Sequence, residues 1–179
     1  MLIAKQKRKE NIAEYILYLY QVEDLIRAFR LDMNLIERQL VKSYKVDENT
    51  SKEITDWYSN LVIMMDKEGV REQGHLQFLV NLINDVNQVH LKLMETGVDS
   101  IYVTTFQSVA GLITELKQKN KEAKNDVDLS ITAIYGFLLL KMQKKEISDE
   151  TTDAIKRISH WLGLLSKMYK KYEEGDLEW

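Results

Sequence analysis

Cysteine and proline are both missing from the 179 residues, and glycine is scarce at seven. Without cysteine there is no disulfide, no thiol nucleophile, no iron–sulfur cluster and no zinc site built on thiolates. That absence fits a reducing compartment. Average usage of about 5% would place roughly nine prolines in such a chain. Proline and glycine supply the turns of sandwiches and barrels, so their shortage argues against an all-β architecture. Long apolar runs are missing too. The uncharged stretch from Leu129 to Leu140 contains Ser130 and Thr132, and a bilayer span takes about 18 or more apolar residues. A basic excess is also lacking. The net charge of −3 and a pI near 5.7 weigh against a compact nucleic-acid binder. No GxxxxGK or GxGxxG loop is present to cradle phosphates, and no serine or threonine sits in a nucleophile-elbow context.

What is there is globular composition, with 45% hydrophobic and 30% charged residues. A chain of this length predicts one domain over residues 1–179. Basic residues at Lys5, Lys7, Arg8 and Lys9 precede an uncharged stretch from Tyr15 to Val22. Glu10 and Glu14 interrupt that pattern and no small-residue cleavage signal follows, so it does not read as a signal peptide. The expected location is cytoplasmic.

Apolar spacing at 3.6-residue period predicts seven helical segments. The first runs from about Lys5 to Arg30, with Ile12, Tyr15, Ile16, Leu19, Val22, Ile26 and Phe29 on its stripe; apolar residues all round at 15 to 20 predict a central position. A short second helix follows the cap Asp32, to about Tyr44. Thr50 with Glu53 matches a capping box, and the third helix presents Ile54, Trp57, Tyr58, Leu61, Met64 and Met65 before Gly69. The fourth spans Arg71 to Glu95, with Gly97 as its left-handed terminator. Asp99 or Ser100 caps the fifth. The sixth, Asp128 to Lys145, carries two apolar faces, one of them Leu129, Ala133, Gly136 and Leu140. Such a helix belongs in a bundle interior or at an oligomer interface. Ser148 starts the seventh, whose stripe is Ile155, Ile158, Leu162, Leu165 and Tyr169. Trp161, Leu164 and Met168 form a second apolar strip there, a candidate partner surface. Gly111, Gly136 and Gly163 interrupt helical patterns at about 1 kcal/mol each; close backbone approach and ordinary tolerance explain them equally well.

Three polar side chains fall where the pattern calls for apolar ones. Glu23 sits mid-stripe on the first helix with Arg27 one turn on. His90 lies near the stripe centre of the fourth, beside Asn87. Buried without partners they would cost several kcal/mol. One reading is a polar pocket of Glu23, Arg27, Asn87 and His90, in which a carboxylate orients an imidazole for proton transfer. The plainer reading is a satisfied core network that fixes helix register, with Glu23 pairing Arg27. Glu72 and His75 form an Glu-x-x-His pair, but di-iron bundles need two copies and further glutamates. His75 then reads as a surface or stripe-edge histidine, and His160 as solvated. Glu150 and Asp153 match one spacing of the helical nucleotide pyrophosphohydrolases, yet the upstream paired glutamates are missing. No metal site and no cofactor is implied.

The cations at Lys5–Lys9 oppose the dipole of a helix that starts there. They read as a solvated terminus, as partners of the acidic tail (Glu173, Glu174, Asp176, Glu178), or as a weak nucleic-acid contact. Stacking aromatics interleaved with basic residues are absent.

Certain segments have a familiar look: Asn11-Ile-Ala-Glu-Tyr-Ile-Leu-Tyr through Glu23-Asp24-Leu-Ile-Arg27, Trp57-Tyr-Ser-Asn, Glu68-Gly-Val with Gly74-His-Leu-Gln, Tyr135-Gly-Phe-Leu-Leu-Leu, and Lys145-Glu-Ile-Ser. Together they resemble an uncharacterised all-helical family of bacterial proteins, found mainly in the Bacteroidetes group. The resemblance covers nearly the whole chain. It implies an all-α cytoplasmic protein and transfers no site residues.

The chain therefore reads as all-α, a single-domain bundle of about six or seven mostly antiparallel helices. The leading functional expectation is a non-catalytic interaction or scaffold protein that self-associates or holds a protein partner, through Leu129, Ala133, Gly136, Leu140, Trp161, Leu164 and Met168. The alternative is a small-molecule-binding protein or enzyme with a pocket around Glu23, Asn87 and His90. The third is weak nucleic-acid binding through Lys5–Lys9. No membrane contact is expected.

Overall fold

The periodic segments fold as eight α-helices, with no strand, in a computed structural model that describes residues 2–179. They are α1 (Leu2–Glu10), α2 (Ile12–Ala28), α3 (Met33–Leu35), α4 (Glu48–Lys67), α5 (Gln77–Thr96), α6 (Ser100–Lys119), α7 (Asp126–Met142) and α8 (Asp149–Glu174). A π-helical turn, Ile36–Leu40, and a 3-10 turn, Val41–Tyr44, carry α3 toward α4. Helices α7 and α8 form the centre. Each packs against the other and against α2, α5 and α6. The first long helix flanks that pair rather than occupying the centre.

The bundle exceeds the expected six or seven helices because the segment read as Lys5 to Arg30 is two helices. Asn11 is extended at φ −154°, ψ 108°, and its side chain accepts the Glu14 amide. An asparagine that satisfies the first free donor of a new helix ends the previous one. Lys7, Arg8 and Lys9 thus fall in the last turn of α1, where cations favour the dipole instead of opposing it.

The start of α4 also moves. Asp47, not Thr50, is its cap, accepting the Thr50 amide at 3.0 Å and the Thr50 hydroxyl at 2.6 Å. Helix α5 starts six residues later than Arg71. Gly74 adopts φ +87°, a left-handed conformation that cannot continue an α-helix. Residues 70–76 therefore run as a loop, folded back over α2. Asp99 and Ser148 cap α6 and α8, as read from the sequence.

Helix α7 divides into two halves. Val127, Leu129, Ser130, Ile131 and Ile134 are buried, whereas no residue from Tyr135 to Met142 is. The three helical glycines are not close-packing sites, since a Cβ added at Gly111, Gly136 or Gly163 meets nothing within 4 Å.

Candidate functional site: a carboxylate-held histidine at a cleft

Helix α5 begins without a capping side chain, because its N-cap position is Leu76. Its free amides are satisfied from elsewhere. Glu23, on α2, accepts the Leu76 N–H at 2.8 Å, and Glu68 accepts the Gln77 N–H at 2.7 Å. Glu23 is 1% exposed, in accord with its mid-stripe position. Its second carboxylate oxygen accepts from Nδ1 of His75 at 2.6 Å. The partner proposed from sequence, Arg27, is not the one found. The 70–76 loop brings a histidine and a backbone donor onto Glu23, while Arg27 is drawn to Asp24 at 2.8 Å and to the carbonyls of Val70 (3.1 Å) and Gly74. Asp24 also accepts the Tyr135 hydroxyl at 2.6 Å. Burial and that bond push the Tyr135 phenol up.

The imidazole is fixed on two sides. Tyr20 stacks on its face, with ring centroids 3.5 Å apart and planes 6° off parallel. Tyr135 meets Tyr20 edge-on at 5.5 Å. With Nδ1 bound to a carboxylate, the neutral ring carries its proton on Nδ1 and leaves a lone pair on Nε2. Nε2 has no protein hydrogen-bond partner among the described residues. It is the ring nitrogen left for the cleft that His75 lines with Tyr20, Val80, Ile83, Asn84, Lys124 and Asp128, a space of 180 Å³. A carboxylate that fixes the tautomer and orientation of a histidine is the arrangement general bases use.

His90 stands in a different setting, and it shares no hydrogen-bond partner with Glu23. It is 2% exposed, and its Nδ1 lies 2.6 Å from the Tyr102 hydroxyl. Trp161 Nε1, which can only donate, gives its proton to that hydroxyl at 3.2 Å. The hydroxyl then donates to His90 Nδ1. Phe106 and Trp161 rings pack at 4.5 Å and 5.2 Å from the imidazole. Burial lowers the His90 pKa to about 4, against the opposing pull of Asp126. Asn87 is buried on the same helix. The pocket read from sequence is thus two places, with Glu23 at one and His90 and Asn87 at the other.

The interface candidates also divide. Leu129, Trp161 and Met168 are core residues at 2%, 0% and 4% exposure, a correction to the partner-surface expectation. Trp161 falls off the main stripe of α8, yet α5 and α6 close over that side and enclose it with His90 and Phe106. Ala133, Gly136 and Leu164 are half-buried, and Leu140 is exposed. Two of the four N-terminal cations have partners in the same chain: Lys7 pairs Glu14 at 2.9 Å, and Arg8 makes a two-pronged contact with Glu173 at 2.6 and 2.8 Å. That contact holds the Glu173 carboxyl below its usual range. His160 and Glu72 are exposed. No group of three or more His, Asp or Glu converges as metal ligands among the described residues. None of the described helices is long and apolar enough to cross a membrane.

Sequence reasoning passed over His75 as a stripe-edge residue. The signal that would have found it is Gly74, a helix breaker immediately before it inside an otherwise periodic run.

Fold and site together define an all-α bundle with a buried carboxylate presenting a histidine to a small cleft. The chain belongs to the family described as Domain of unknown function (DUF4924), whose model matches residues 1–176. No curated protein and no solved structure matches it.

Proposed function

We propose that the protein binds a small polar molecule in the cleft between α2, α5 and α7, with His75 as the proton-exchanging contact. One observation carries this reading: Glu23 and Tyr20 hold the imidazole by its Nδ1 edge and face, leaving Nε2 for the cleft. Capping α5 requires only one oxygen of Glu23, and the Leu76 amide occupies it. The second oxygen orients a ring that the helix start does not need. The Arg27–Asp24–Tyr135 contacts brace the same loop from behind, which keeps the ring in one place. The test is a fragment screen followed by ¹⁵N-resolved NMR. Ligands of this site will shift the resonances of His75, Tyr20 and Asn84 together, and His75→Gln will abolish the response. If no fragment moves that group of signals, the reading falls.

A second reading concerns α7. Phe137, Leu138, Leu139, Leu140 and Met142 are all wholly or partly exposed, Met142 at 71%. Exposed Lys141, Lys144 and Lys145, and then exposed Glu146, Asp149 and Glu150, lie within or directly after this segment in the chain, so both signs of charge accompany the patch. A two-fold axis through such a patch sets the lysines of one copy against the acids of the next. Self-association through this end would be checked by light scattering across a concentration series, with Met142→Glu holding the protein monomeric. A wild-type monomer at high concentration ends this second reading.

A further inference from the structure

Resting on the self-association reading of the α7 end, we infer that this end seats in a groove between α6 and α8 of a second copy of the chain, and that the second copy's α7 end seats in the groove of the first. The groove follows from how the two helices lie. They run antiparallel, with Tyr102 meeting Trp161 and Ser108 meeting Arg157. The last turns of α6 therefore lie against the first turns of α8. Leu112, Leu116 and Ala154 remain half-buried there and line a space of about 430 Å³. A water takes roughly 30 Å³, so the space holds whole side chains.

Shape and charge identify the occupant. Leu140 and Met142 are 42% and 71% exposed at the end of α7, and an unbranched methionine fills an irregular apolar groove well. Lys141 rests over the Phe137 ring, but neither it nor Lys144 or Lys145 has a carboxylate partner among the described residues. Glu115, Glu150 and Asp153 line the groove and have no cationic partner there either. Two cations, Lys119 and Arg157, line it as well. Arg157 is drawn to the Ser108 carbonyl. Three carboxylates against two cations leave the groove net negative, whereas residues 140–145 carry three cations and no acid. Met142 and Glu150 are close in the chain, which puts patch and groove at one end of the bundle. A two-fold axis at that end makes both contacts at once.

The chain has no cysteine, so each full-length variant Met142→Cys and Ala154→Cys carries a single thiol. The two are mixed, one bearing a mass tag, and treated with a short bis-maleimide. The mixed pair is expected to cross-link, and each variant alone to remain largely uncross-linked. Glu115→Lys with Asp153→Lys should raise the dimer dissociation constant about tenfold. Adding Lys144→Glu and Lys145→Glu in the same chain should return it to within about threefold of wild type. Circular dichroism confirms that the variants fold. A dimer in which Met142→Cys cross-links only to itself joins patch to patch and overturns the groove assignment. A dimer with no mixed cross-link, or one indifferent to the charge reversal, overturns it too, and both outcomes leave self-association standing. A wild-type monomer in light scattering removes self-association and the groove assignment together.

Discussion

His75 and His90 sit just before and well within the same stretch of helix, α5, and they are held in opposite ways. His75 meets a carboxylate on one nitrogen and an open cleft on the other. His90 meets a phenol, and aromatic rings enclose it. The first ring keeps a nitrogen for outside chemistry. The second is sealed, and burial drives its proton off. A histidine in an apolar stripe therefore says only that a partner exists. What the imidazole can do depends on whether that partner leaves one side of the ring facing a space.

Several measurements would break or sharpen this contrast, and the largest effect belongs to the sealed site. His90→Ala removes a buried ring and strands the Tyr102 hydroxyl, so chemical denaturation should show a loss of about 3–4 kcal/mol. If the loss is under about 1 kcal/mol, the cluster is not the packed unit described here. Acid should act on the same residue. The folded pKa of about 4 lies below the ordinary 6.5. Between those values the unfolded chain binds a proton that the folded chain refuses, so stability falls as pH drops through that window. The full loss, about 3 kcal/mol, is reached below pH 4. His90→Phe should flatten the profile between pH 6.5 and 4.5, above the range in which carboxylates such as Glu173 titrate.

Glu23→Ala comes next. It leaves the Leu76 amide and His75 Nδ1 without their acceptor, for a loss of about 2–3 kcal/mol by urea unfolding. His75→Gln should cost only about 1 kcal/mol or less, because Glu23 still caps α5 and only a stacked, half-exposed ring is lost. A larger effect from His75 than from Glu23 would reverse the assignment of structural and functional roles. The smallest change is a gain. Gly111→Ala fills open space on an exposed helical face and should raise the melting midpoint by the equivalent of about 0.5–1 kcal/mol.

The amphipathic stripes were legible before any coordinates. Ile155, Ile158, Leu162, Leu165 and Tyr169 are all buried, as their spacing requires. So was the burial of the three polar intruders, Glu23, Asn87 and His90, since it follows from their wheel positions. Their partners were not legible, because a wheel describes one helix and says nothing of which loop crosses it. Trp161 shows the same limit. Its angle on α8 lies off the stripe, but the face that α5 and α6 cover is wider than the stripe. The break at Asn11 was hidden because helix-favouring Lys5–Glu10 run into the apolar stripe from Ile12 with no proline or glycine between them, and only the asparagine side chain marks it. His75 was missed for a related reason: periodicity continued through Gly74, and backbone handedness overruled it.

The remote capping of α5 bears on the order in which the chain acquires structure. The donors at its first turn find acceptors 53 residues back on Glu23 and 9 residues back on Glu68. A synthetic peptide of residues 77–96 has neither, so its leading turn will fray in water. Native-state hydrogen exchange should therefore register the amide of Leu76 as one cooperative unit with α2, opening when α2 opens, and the amide of Gln77 with the end of α4 that carries Glu68.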